Sequence, residues 1–210
     1  MYENIPLEMR EYAQWVVWRY EVRDPAKKPT KVPLNPHTGT LASVTDDSTW
    51  GTFEQAVAAE PNGNGIGFVL TKYDPYLFID LDKPGDEDLH AQIYAAFPSY
   101  AERSPSGAGL HIIARGHVPR GKRDTAKGVE IYSEERYMTM TGNVVENRSV
   151  IVRADTAQLE ALWAHLGGTQ HASGDAPISG DMTAEDQTII ERARTAKNGA
   201  LFCQLWAGQW

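Results

Sequence analysis

The sequence predicts an α+β fold, and three observations carry that reading. Short β-branched and aromatic runs recur between Pro, Gly, Asn and Asp breakers, helical spacing is confined to a few brief stretches, and Tyr73-Asp74-Pro75 between two apolar runs predicts an antiparallel hairpin. The chain of 210 residues is long enough for one substantial core, or for one domain with a short appendage. Its 41% hydrophobic and 23% charged residues are ordinary for a soluble globular protein. No apolar run approaches membrane-spanning length, so no membrane partner is expected, and Met1-Tyr2-Glu3-Asn4 lacks the basic and apolar regions of a secretory signal. Cys203 is the single cysteine, which excludes an internal disulfide and a cysteine-rich zinc cluster and makes a reducing cytoplasm the expected setting. A net charge of −8 and a pI near 5.2 argue against electrostatic coating of nucleic acid. They leave room for an enzyme whose acidic side chains hold cations.

In chain order, Trp15 to Tyr20 reads as a strand. Asp24 to Gly39, with four prolines and three lysines, reads as a loop or hairpin. Trp50, Phe53 and Val57 fall at helical spacing before the Pro61-Asn62-Gly63-Asn64-Gly65 breaker, and Gly65 to Leu70 and Tyr76 to Asp82 follow as strands. Leu89, Ile93 and Phe97 mark a helix that Pro98 terminates; after it a small-residue loop from Arg103 runs into a strand ending near Ala114. Arg115 to Lys127 reads as an exposed basic hairpin or loop. Gly128 to Tyr132, Arg136 to Asn143 and Ser149 to Val152 read as further strands. Asp155 or Thr156 caps a helix carrying Leu159, Leu162, Trp163 and Leu166, which Gly167-Gly168 stops. Residues 1–166 therefore form the expected domain and 167–182, rich in Gly, Ser, Ala and Asp, a linker. Residues 183–210 are expected to be a helical extension, opened by a capping box at Thr183-Ala184-Glu185-Asp186, whose apolar end predicts that the natural polypeptide continues.

The chemistry concentrates in a few stretches. Leu77-Phe78-Ile79-Asp80-Leu81-Asp82-Lys83 sets two carboxylates in an apolar run, and strand alternation puts Asp80 and Asp82 on one face with Ile79 and Leu81 on the other. Two such charges repel unless a proton, a Lys or Arg, or a divalent cation lies between them, which points to a metal site. Taken alone, the same spacing also fits a solvated strand end. Glu130 stands on the same side of its strand as Tyr132, opposite Val129 and Ile131, and is a third acid placed to complete a two-metal constellation. The loop from Ser104 exposes backbone N–H groups and the hydroxyls of Ser104 and Ser106, with Gly107 and Gly109 allowing close approach; His111 follows, facing away from Leu110 and Ile112. Each alone fits a plain turn or a structural histidine, and together they suit a triphosphate. Arg115, Arg120, Lys122, Arg123 and Lys127 against the single acid Asp124 reverse the local sign of charge. By charge alone that is a solvated turn as readily as a phosphate contact, whereas Lys28 and Lys31 read first as a solvated turn and second as a phosphate contact.

Acidic pair, Ser/Gly turn with His, basic hairpin and third acid occur in an order that resembles the archaeo-eukaryotic primase superfamily, specifically the primase-polymerase domains of phage and plasmid replication proteins. The likeness spans most of residues 10–165. Phe78 to Asp82 resembles the family's first motif, whose aspartates bind the catalytic metals, Mg²⁺ or Mn²⁺. Ser104 to His111 resembles the second, which contacts the incoming triphosphate, and Val129 to Tyr132 resembles the third, which supplies the remaining carboxylate. Lys28-Pro29-Thr30-Lys31-Val32-Pro33, Thr49-Trp50 and Arg136 to Gly142 are also similar to phage members. Two departures stand out: Gly109 takes a place where the superfamily often has Ser, and Glu130 one where Asp is frequent. The family's zinc-binding cysteines have no counterpart.

The resemblance implies a small N-terminal α/β unit packed on an RRM-like antiparallel sheet that carries the acids. It implies template-directed primer synthesis and DNA polymerisation on single-stranded DNA, in the cytoplasm of the host cell if the gene is a phage's. Asp80, Asp82, Glu130 and His111 would then be catalytic, with Ser104, Ser106, Gly107, Gly109, His111, Arg136 and Thr141 on the nucleotide. Lys28, Lys31, Arg115, Arg120, Lys122, Arg123 and Lys127 would meet nucleic acid. Nucleoside triphosphates, ribo or deoxyribo, are the implied substrates, and the likeness alone suggests a helicase domain or partner. Two rivals fit the same residues: a metal-dependent nuclease or phosphodiesterase, because Asp, Asp, Glu and His also suit water activation, and a non-catalytic module that binds single-stranded DNA or a replication origin.

Overall fold

The computed structural model describes residues 2–22 and 29–166. The linker and helical extension expected after residue 166 lie outside the described residues, as does Lys28. Nine strands, β1 (Trp15–Glu21), β2 (Thr30–Leu34), β3 (Gly65–Leu70), β4 (Tyr76–Leu81), β5 (Tyr100–Arg103), β6 (Leu110–Arg115), β7 (Lys122–Asp124), β8 (Val129–Tyr132) and β9 (Arg136–Met140), make up the described sheets. Helices α1 (Leu7–Arg10), α2 (Phe53–Ala59), α3 (Glu87–Ala96) and α4 (Thr156–His165) accompany them. The first sheet has the order β2-β1-β3-β9 and the second β5-β6-β4-β8-β7, and every strand pair is antiparallel. The mixed α/β architecture and its antiparallel sheets agree with the expected class.

Local chemistry sets the helix boundaries. Thr52 and Gln55 form a reciprocal capping box at the start of α2, while the side chains of Asp86 and Asp155 accept the N–H groups of Leu89 and Gln158 to open α3 and α4. One core joins the two sheets, with Trp15, Phe68 and Met138 of the first meeting Tyr76, Phe78, Tyr100 and Ile113 of the second. Edge-to-face ring pairs such as Trp15–Phe68, at 5.2 Å between centroids, and Phe68–Tyr76, at 5.7 Å, fix its aromatic centre. A second core packs Leu77, Ile79, Ile112, Val129 and Ile131 against Ile93, Leu159 and Leu162 of α3 and α4. Strand β4 is thus covered on both faces over most of its length, so its apolar run is continuous until Asp80 interrupts it.

Two expectations are corrected. The segment around Tyr73-Asp74-Pro75 is not a hairpin, because β3 and β4 join different sheets. The buried Asp74 carboxylate explains the departure: it accepts the Thr71 N–H and hydroxyl, the Gln14 amide and the Tyr76 N–H, fixing a loop that carries the chain from one sheet to the other. Residues 149–152 form no strand; they are tied to β6 through the Arg115 N–H to the Val152 carbonyl and a single parallel bridge at Arg153. The Pro-rich segment, expected as a loop or hairpin, supplies the edge strand β2, antiparallel to β1, which tolerates Pro33 at the rim of its sheet. The basic segment, expected as a hairpin or loop, supplies β7, antiparallel to β8, and β5 forms between α3 and the Ser104 loop; β5 and β7 are the two edges of the second sheet.

Candidate active site

The second sheet places one polar row across all five of its strands. Glu102 on β5 is paired in register with His111 on β6, His111 with Asp80 on β4, Asp80 with Glu130 on β8, and Glu130 with Arg123 on β7. Residues directly opposite in antiparallel strands are close neighbours on one face, so the ladder itself brings Asp80, His111 and Glu130 together. Their strand neighbours Ile79, Ile112, Val129 and Ile131 point the other way, into the core under the helices. The alternation that places three of these residues was legible in the sequence; the registration of the row was not.

At the centre of the row, Asp80 is 16% exposed, and its Oδ1 is the one buried side-chain polar atom without a hydrogen-bond partner among the described residues. Burial pushes the carboxyl up from 3.8 to about 6; the neighbouring His111 and Lys31 oppose the rise, and the charges of Asp82 and Glu130 add to it. His111 Nε2 lies 3.8 Å from Asp80 Oδ1, beyond hydrogen-bond reach. Asp82 follows the end of β4, where it is exposed to solvent, and its backbone N–H donates to the Gly128 carbonyl. Glu130 is firmly held. Its Oε1 takes Arg123 Nε at 2.8 Å, and its Oε2 takes the Tyr132 hydroxyl at 2.8 Å and Arg136 at 3.4 Å. Burial and then the Glu130 charge push the Tyr132 phenol well above its usual range, which keeps it a donor.

A cleft of about 530 Å³ lies in front of Asp80 and Glu130, with Lys31, Arg123 and Arg136 on its walls beside Pro33, Tyr137 and Thr139. Both sheets contribute to it. Three cations interleaved with three carboxylates, Asp80, Glu130 and Glu135, suit a polyanion bound beside a metal. Among the described residues no group of three His, Cys, Asp or Glu side chains is drawn close enough to hold an ion as it stands. The donor set nevertheless suits Mg²⁺ or Mn²⁺, which take carboxylate oxygens, and Asp80 Oδ1 is a buried oxygen in want of a partner.

The remaining expected site residues divide. In the Ser104 loop, the Gly107 N–H donates to the Ser104 carbonyl, the Ala108 N–H to Ser106 Oγ and the Gly109 N–H to Ser104 Oγ. The expectation that this loop presents its N–H groups outward is therefore corrected for these three residues. Gly109 is a glycine for steric reasons: a Cβ there would stand 2.8 Å from the Leu81 carbonyl oxygen and 3.1 Å from Ser104 Oγ. Thr141 directs its hydroxyl to the Arg103 carbonyl, away from any open donor role.

Two lysines of the basic segment latch it to α4. Lys122 Nζ donates to the carbonyls of Trp163 and Leu166 at the end of α4 and lies 3.7 Å from the Trp163 ring centroid, while Lys127 Nζ reaches the His165 carbonyl and Asp124. The Arg120 guanidinium lies 5.9 Å from the Trp163 ring. Arg115 pairs with Glu8 at 2.6 Å and donates to the Ile151 carbonyl. Of the five, Arg123 alone lines the cleft. Sequence reasoning missed Glu102, which is 0% exposed and contacts His111; the available signal was the Tyr100-Ala101-Glu102 alternation directly after Pro98.

No family model matches the chain. The chain is 39% identical over 196 residues to the DNA Primase-polymerase of Nitratiruptor phage NrS-1. The match takes in 87% of this chain and 26% of that protein, so the chain spans about a quarter of the relative's length.

Proposed function

We propose that this chain is the nucleotidyl-transfer core of a primase-polymerase, which synthesises primers and extends DNA on a single-stranded template during phage or plasmid replication. The observation that carries the reading is the in-register line His111–Asp80–Glu130, whose two carboxylates stand on the wall of a cleft rimmed by Lys31, Arg123 and Arg136. The likeness to the phage enzyme supports it along most of the chain. We extend the reading to membership of the archaeo-eukaryotic primase superfamily, with the second sheet as its RRM-like element. Single-stranded DNA and nucleoside triphosphates are the substrates in this reading, and a helicase domain or partner rests on the family resemblance alone.

Asp80, Asp82 and Glu130 would hold Mg²⁺ or Mn²⁺. When bound, the cations supply activation of a 3′-hydroxyl and neutralisation of charge on departing pyrophosphate. Lys31, Arg123 and Arg136 draw the triphosphate into the cleft and hold it there, and behind Asp80 the His111 ring directs Nε2 toward that carboxylate. Positioning together with electrostatic stabilisation supplies nearly all of the acceleration in phosphoryl transfer, so no protein nucleophile is required. Arg123 and Arg136 also bridge to Glu130, which ties the triphosphate-binding cations to a metal-binding acid.

Labelled ATP and dATP, supplied separately with Mn²⁺ on unprimed circular single-stranded DNA, test the reading. Metal-dependent oligomers that vanish in Asp82→Ala are the expected result. Degradation of the circle without synthesis would establish the nuclease rival, and metal-independent binding that is unchanged in Asp80→Ala, with no product from either protein, would establish the binding module.

A further inference from the structure

We propose that Glu102 is the positioning residue for His111: it keeps a proton on Nδ1 and thereby turns Nε2 toward Asp80, the carboxylate that lines the cleft. This assignment of a role for the ring rests on the reading above, and the setting of the ring itself stands on geometry alone. Glu102 is completely buried, and an isolated carboxylate in such a place is strongly unfavourable unless donors surround it. Four do. Oε1 accepts the Thr141 N–H at 2.9 Å and faces His111 Nδ1 at 3.2 Å; Oε2 accepts the Tyr100 hydroxyl at 2.8 Å and the Gly142 N–H at 2.9 Å.

The two backbone N–H groups at the end of β9 need an acceptor, and a neutral amide side chain has one oxygen with which to supply it. Only a carboxylate presents two acceptor oxygens, one for each side of this arrangement. A carboxylate only accepts, so the ring nitrogen facing Oε1 is the donor and the hydrogen of His111 sits on Nδ1 whatever the charge on the ring. The ring has little freedom to escape this setting. It is 2% exposed and packs against Phe78 at 4.9 Å between centroids. Nε2 is consequently the nitrogen left to face Asp80, 3.8 Å from its Oδ1. Because Glu102 lies on β5 and Thr141-Gly142 follow β9, the same carboxylate links the setting of the ring to the other sheet.

Nitrogen-15 chemical shifts of the His111 ring in the labelled full chain test this directly. Nδ1 is expected to show the shift of a protonated ring nitrogen; a wild-type ring protonated on Nε2 alone would overturn the proposal. In Glu102→Gln the ring shifts are expected to change and nucleotide incorporation to fall about 10–100-fold in kcat, with template affinity retained. Unchanged shifts and unchanged kcat below the melting temperature would reduce Glu102 to a purely structural role and overturn the proposal. Tyr100→Phe, which removes only the hydroxyl on Oε2, is expected to lower stability and leave the His111 shifts as they are. Should Glu102→Gln fail to fold, the wild-type spectrum decides. If the shifts behave as expected and the wild-type protein makes no product, the positioning of the ring stands and the polymerase reading falls.

Discussion

Asp80 sits at an energetic disadvantage as a free anion, because burial and two neighbouring carboxylates hold its carboxyl up at about 6 from 3.8. The folded chain therefore binds this proton more tightly than the unfolded chain does. The stability it contributes is fully present below about pH 4 and is lost as pH rises through about 6, with an upper bound of about 3 kcal/mol. Asp80→Asn removes the charge and keeps the shape. At pH 7.5 without divalent ions, urea unfolding of that variant is expected to show a gain of about 1–3 kcal/mol, while synthesis disappears. Mn²⁺ is expected to raise the midpoint of the parent and not that of the variant. A variant less stable than the parent at neutral pH would contradict the strained carboxylate. Gly109 offers a second test at this scale: Gly109→Ser places a side chain against the Leu81 carbonyl and is expected to cost about 1–3 kcal/mol by thermal melting. An unchanged melting temperature would show that the loop has room.

Among the elements, the basic run from Arg115 to Lys127 shows what a count of charges leaves out. The charges were plain in the sequence, but Lys122 and Lys127 donate to carbonyl oxygens at the end of α4, which lie 41 and 44 residues away for Lys122. Lys122→Ala is accordingly expected to destabilise the chain by about 1–2 kcal/mol and to leave the salt dependence of single-stranded DNA binding unchanged. A flatter salt dependence in a filter-binding titration would return Lys122 to the nucleic-acid surface. Strand alternation fared better, because it is local: Asp80, Glu130 and His111 each follow from the period-2 pattern of their own strands. Glu102 escaped notice because β5 is four residues long and precedes a loop rich in small residues.

For the molecule as a whole, the α+β class and most elements were legible, whereas the division of strands between sheets was not. Strand β9 pairs with β3 across about seventy residues of chain and completes the N-terminal sheet, and β3 and β4, neighbours in sequence, part company at Asp74. Nothing periodic in the sequence encodes such distant choices. Their consequence is functional, since the cleft takes Lys31 from the first sheet and Asp80, Arg123 and Glu130 from the second. A site assembled from both sheets makes activity a reporter of their packing. Met138→Ala, which opens the core between them, is expected to lower stability by about 2–4 kcal/mol and to weaken nucleotide binding as well, measured by calorimetry; unaltered binding at equal folded fraction would show that the cleft is independent of that core.

In the proposed reading, positions 80, 82 and 130 grip divalent cations together, and anomalous diffraction from crystals grown with Mn²⁺ and a non-hydrolysable nucleoside triphosphate is the decisive measurement. Manganese peaks bounded by the carboxylates of Asp80, Asp82 and Glu130, with the phosphates against Arg123 and Arg136, are the expected result; manganese bound elsewhere, or triphosphate ordered in the cleft with no metal at these three side chains, would overturn it.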